Sequence, residues 1–76
     1  MATYNGHRNW NHWNVSLWIG NDEGLYTLAK DCIESTGNRE EAAAMFLNTM
    51  KLEGKTETPD GAPYTKTTVR AALVGL

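Results

Sequence analysis

At 76 residues, with a formal net charge of −2 and a single cysteine, the chain has room for one hydrophobic core, can form no internal disulfide, and carries no chain-wide positive field to draw it to nucleic acid or acidic lipid. No run approaches the roughly 18 apolar residues of a membrane span, and residues 1–6 lack the charged and apolar regions of a secretory leader. The expectation is a soluble, unprocessed cytoplasmic protein, one domain over residues 1–76.

Residues 1–9 are polar, with Asn5, Gly6 and Asn9 favouring turns, and read as an arm or ordered loop. From Asn11, whose side chain can cap a helix, Trp13, Leu17 and the flanking Trp10 recur at helical spacing, while Val15, Trp18 and Ile19 fill a second stripe. Such a helix is apolar on most sides, should be central, and should stop near Gly20. Each indole can bury roughly 150–250 Å², on the order of 4–6 kcal/mol gross. In so small a chain that predicts two of the three tryptophans in the core and one partly exposed; the rival use of an indole is as an interface anchor.

Asn21 or Asp22 can cap a second helix in which Leu25, Leu28, Ala29, Cys32 and Ile33 follow the i, i+3, i+4, i+7, i+8 pattern, with Gly37 as its left-handed terminator. Asn38 followed by Glu41 resembles a capping box and opens a third helix, whose buried stripe is Ala43, Phe46, Leu47 and Met50 and whose stop is Gly54. Residues 55–63 form the longest loop, built on the turn signal Pro59-Asp60-Gly61. Thr65 then caps a fourth helix with Val69, Ala72, Leu73 and Leu76 on one face. Tyr64 to Val69 is rich in β-formers, so a short strand over residues 64–69, and with it an α+β fold, is the alternative.

The fold expected is therefore all-α: a compact bundle of three to four short helices around a Trp-rich N-terminal helix. Its core would be Trp10, Trp13, Leu17, Trp18, Leu25, Leu28, Cys32, Ile33, Phe46, Leu47, Met50, Val69 and Leu73.

Little in the chain points to catalysis. His7 and His12, with Asp22 or Cys32, fit no standard zinc spacing, and His12 is expected on the exposed side of its helix; no metal or cofactor is assigned. Cys32 falls in an apolar stripe, where a free thiol behaves as a small hydrophobe rather than a nucleophile. No nucleophile elbow, phosphate-cradling glycine loop or paired-carboxylate signature appears, and the chain reads as a non-enzyme. Lys66 and Arg70, four apart beside Thr65, Thr67 and Thr68, offer a phosphate-holding face, against which stand the acidic residues and the absence of a helix-turn-helix pattern. The acidic set Asp22, Glu23, Asp31, Glu34, Glu40 and Glu41 can be read as a phosphate mimic, but caps and solvated faces account for it more simply.

Tyr4-Asn5-Gly6, then Asn9-Trp10-Asn11-His12-Trp13-Asn14-Val15-Ser16-Leu17-Trp18-Ile19, then Asn21-Asp22-Glu23-Gly24-Leu25-Tyr26 form a distinctive series. It resembles the N-terminal signature of small bacteriophage and mobile-element proteins of unknown function, in which a Tyr-Asn-Gly start precedes a Trp-Asn-x-x-Leu-Trp helix and an Asn-Asp-x-Gly turn. The match covers about the first third of the chain. What the resemblance implies is an accessory protein that binds a host protein or protein complex, as anti-restriction and anti-CRISPR inhibitors do. The residues expected at such a surface are Tyr4, His7, Glu34, Glu40, Lys66 and Arg70, the last two also serving the alternative of a nucleic-acid binder. A monomer or a homodimer is compatible with either.

Overall fold

The computed structural model describes residues 9–74 and 76, and among these it contains four helices: α1 (Trp10–Asn21), α2 (Glu23–Thr36), α3 (Arg39–Leu52) and α4 (Lys66–Leu73). Each opens on a side chain that satisfies a backbone N–H otherwise without an intrahelical partner. Asn9 accepts from His12 N at 3.0 Å, Asp22 from Leu25 N at 3.0 Å, Asn38 from Glu41 N at 2.8 Å, and Thr65 from Thr68 N at 3.1 Å. The first cap is thus Asn9, two residues before the expected Asn11, and α1 runs through Gly20 to Asn21. At the other end of α2, Gly37 takes the left-handed conformation (φ 81°) and returns its N–H to Ile33 O, the termination its sequence position predicts.

The helices pack in a closed circuit, α1 on α2, α2 on α3, α3 on α4 and α4 back on α1. No strand occurs among the described residues. The β-formers around residue 67 are helical because Thr65 and Thr68 form a reciprocal capping box, with Thr65 N donating back to Thr68 Oγ1 at 2.9 Å, and because Val69 and Leu73 are both fully buried. Burial and capping together override the local preference. An isolated antiparallel bridge, Glu57 to Pro63, is all the sheet-like pairing in this region.

The core is made of small side chains: Ala29, Cys32, Ala42, Ala43, Ala62 and Ala72, with Val15, Ile19, Phe46, Met50, Val69 and Leu73 filling the space between them. Leu25, Leu28, Ile33 and Leu47 are partly buried against it. Phe46 is the large ring at the centre, meeting Tyr64 edge-on at 6.0 Å between centroids.

The tryptophan-centred core is overturned. Trp10 and Leu17 are each 37% exposed, while Trp13 and Trp18 are only half-buried. Residues 10, 13 and 17 share one side of a 3.6-residue helix, whereas residues 12, 15 and 19 share the opposite side. It is the second set, His12, Val15 and Ile19, that turns inward. The core that this side faces includes Ala29 of α2 and Ala72 of α4, and short branched chains match such small partners better than an indole. His12, expected on the exposed side, is accordingly buried at 9% exposure, and Asn14, at 1%, is buried with it.

Candidate functional site

The segment between α3 and α4 is the irregular part of the fold, and local chemistry fixes its course. Pro59 and Asp60 occupy the middle of a turn closed by Gly61 N donating to Thr58 O at 2.8 Å, and Gly61 itself has φ 94°, where a side chain would be strained. The strands of the turn are drawn together by Thr58 N to Ala62 O at 2.8 Å and Tyr64 N to Thr56 O at 3.0 Å.

Three side-chain hydrogen bonds fasten this loop to α1. The hydroxyl of Thr58 donates to Asn14 Oδ1 at 2.5 Å and accepts from Ala62 N at 3.0 Å. Asn14 Nδ2 and the indole N–H of Trp18 both donate to Asp60 Oδ2, each at 2.9 Å. These two bonds favour the ionised carboxylate and hold the Asp60 carboxyl below its ordinary pKa. The buried Asn14 is thereby satisfied on both ends of its amide, as a polar group without water must be.

With the loop held there, an open groove of about 570 Å³ lies between it, the start of α2 and the end of α3. Leu25, Leu28 and the buried Met50 form its floor; the half-buried rings of Trp18 and Tyr64 form its sides. The rim carries Asp22, Glu53, Glu57 and Lys55, all exposed. Lys55 is engaged with Glu53 at 3.7 Å. The carboxylates of Asp22 and Glu57 form no ion pair among the described residues, so three acids face one lysine at the rim and its formal charge is net negative. Burial, followed by the Asp22 carboxylate, pushes the Tyr64 phenol above its ordinary pKa.

The residues expected at a partner surface fall elsewhere. Tyr4 and His7 lie outside the described residues. Glu34 stands exposed on α2. Glu40, Lys66 and Arg70 are brought together across α3 and α4: Lys66 Nζ lies 2.7 Å from Glu40 Oε1 and Arg70 Nε 3.2 Å from Glu40 Oε2. The Lys66 contact, then Arg70, holds the Glu40 carboxyl below its ordinary range. The basic face is therefore answered by its own acid, which weakens it as a phosphate site, and Thr65 and Thr68 spend their hydroxyls on the helix cap. Cys32 is buried, and burial, with Asp31 adding to it, raises its thiol pKa, the reverse of what a nucleophile needs. Among the described residues no three His, Cys, Asp or Glu side chains converge as metal ligands, and no helix is long and apolar enough to cross a membrane.

Sequence reasoning missed Asn14, Thr58, Asp60 and the groove they frame. The available signal was a polar Asn14 set between Trp13 and Val15 in α1, with a Pro-Asp-Gly turn supplying a carboxylate at a projecting tip. Compared with known proteins, the chain matches a family model over residues 1–74, described as a family of unknown function, DUF7249. No curated protein and no solved structure matches it.

Proposed function

Because the chain belongs to DUF7249, a family of unknown function, its role must be read from its surface, and we propose that it is a non-catalytic accessory protein of phage or mobile-element origin that binds a host protein complex in the cytoplasm and inhibits or modulates it. The observation that carries this reading is the groove beside α2, which joins an apolar floor to a rim of net acidic charge. A concave, mostly apolar lining with a few polar groups at its edge is the usual form of a binding site. The pairing of Lys66 and Arg70 with Glu40 counts against the nucleic-acid alternative. The resemblance of residues 4–26 to small phage proteins supports that origin, and through it the expectation of a host defence complex, of the anti-CRISPR or anti-restriction kind.

The test is affinity capture from the natural host with the tagged chain and with its Glu57→Arg variant, followed by assay of the captured complex with purified protein added back. The reading expects a nuclease-resistant complex whose activity falls in proportion to the protein added, and a weaker effect from the variant. Capture that disappears on nuclease treatment, or a complex whose activity the protein leaves untouched at molar excess, refutes it.

A further inference from the structure

We propose that the groove beside α2 receives a cationic side chain, arginine or lysine, from an extended segment of the partner protein. The inference rests on the protein-binding reading above and gives the partner's contact its chemistry.

The groove's dimensions fit this guest. At about 570 Å³ it lies within the range of pockets that take small ligands, ample for one long side chain and its neighbours. Its floor of Leu25, Leu28 and Met50 suits the methylene stem that arginine and lysine bury while keeping the charged head in water. The sides present the ring of Trp18, held in place by its indole bond to Asp60, and the ring of Tyr64, held edge-on against Phe46. A cation that settles over the face of either ring is attracted through the ring quadrupole. At the rim, the Asp22 and Glu57 carboxylates form no ion pair among the described residues, whereas Glu53 is engaged with Lys55.

Charge decides against the other occupants. An acidic segment would meet two like charges, and a purely apolar one would leave both rim carboxylates without a counterion while removing water from them. The Asp22 side chain also accepts from Leu25 N, so its position is set by the α2 cap. This one rim charge is therefore placed before any guest arrives, which limits the ordering cost of binding at that point.

Titration of the isotope-labelled full chain with a synthetic peptide of alternating arginine and leucine, followed by amide and indole NMR shifts, tests the proposal. The comparison peptide replaces each arginine by citrulline, which keeps the shape and removes the charge. Shifts should concentrate at Trp18 Nε1–H, Leu25, Glu57 and Tyr64, and the citrulline peptide should bind about tenfold or more weakly. The double variant Asp22→Asn/Glu57→Gln keeps the α2 cap, since asparagine caps as well as aspartate, and should lose affinity for the arginine peptide by a similar factor while its melting curve is retained. Equal affinity for the two peptides overturns the proposal. So does absence of any shift at about 1 mM peptide, or shifts centred on Glu40, Lys66 and Arg70. Failure here, with a host complex still captured and inhibited, removes the cationic guest and leaves the protein-binding role standing.

Discussion

Replacing Asn14 by alanine takes away the acceptor for Thr58 Oγ1 and one donor to Asp60, bonds of 2.5 and 2.9 Å that connect residues more than 40 positions apart. Asn14 is 1% exposed, so water cannot replace what is lost without entering the interior. A buried hydroxyl stripped of its acceptor costs about 1–3 kcal/mol, and the small cavity adds to it. The expected loss is about 2–3 kcal/mol, out of a total stability of about 4–11 kcal/mol for a chain of this length. In a domain this small that corresponds to a fall in Tm of roughly 8–24 °C. Circular dichroism followed through thermal and urea unfolding measures it, and a cycle with Thr58→Val isolates the coupling, expected at about 0.5–3 kcal/mol because both side chains belong to one network. A cost for Asn14→Ala below about 0.5 kcal/mol, the level of an ordinary surface substitution, would refute the view that this amide anchors the loop. So would single-variant costs that add in the double variant.

Acid should weaken the fold through two named carboxylates. Glu40 and Asp60 are held below their ordinary pKa values by Lys66 and by the Asn14 and Trp18 bonds respectively, so the unfolded chain takes up protons first. Their contribution is complete above the ordinary carboxylate range, about pH 4, and disappears as pH falls through the depressed values. Tm measured from neutral to acid pH should turn downward there, with a shallower limb in Glu40→Gln and Asp60→Asn; limbs that superimpose on the parent's would remove both groups from the account. Phe46→Ala should cost about 3–5 kcal/mol because the ring is wholly enclosed, whereas Trp10→Ala, at a position 37% exposed, should cost less, about 1–2 kcal/mol. Denaturant midpoints in the opposite order would restore the tryptophan-centred core.

The helices were legible because the signals that create them are local. Asp22, Asn38 and Thr65 cap where their chemistry and spacing place them, and the stripe of Leu25, Leu28, Ala29, Cys32 and Ile33 faces the core or lies against it. What periodicity could not supply was the choice between the two apolar sides of α1. That choice depends on the size of the side chains opposite, here the alanines of the neighbouring helices, and size matching across an interface leaves no trace in the spacing of one segment. The Asn14, Thr58 and Asp60 network was hidden for a related reason. Its members lie 42 to 46 residues apart where they meet α1, and each alone reads as an ordinary helix or turn residue. The pairing of Glu40 with Lys66 and Arg70 likewise joins two surfaces that the sequence presents as separate.

Trp18 takes part in two structures at once, as a wall facing outward and as a donor to the turn tip at Asp60. Anything that grips the wall also bears on the tether, so occupancy of one and attachment of the other are thermodynamically linked. A guest would tighten the first helix against local opening, and loosening that helix from its hidden side would blunt recognition at a surface it never touches.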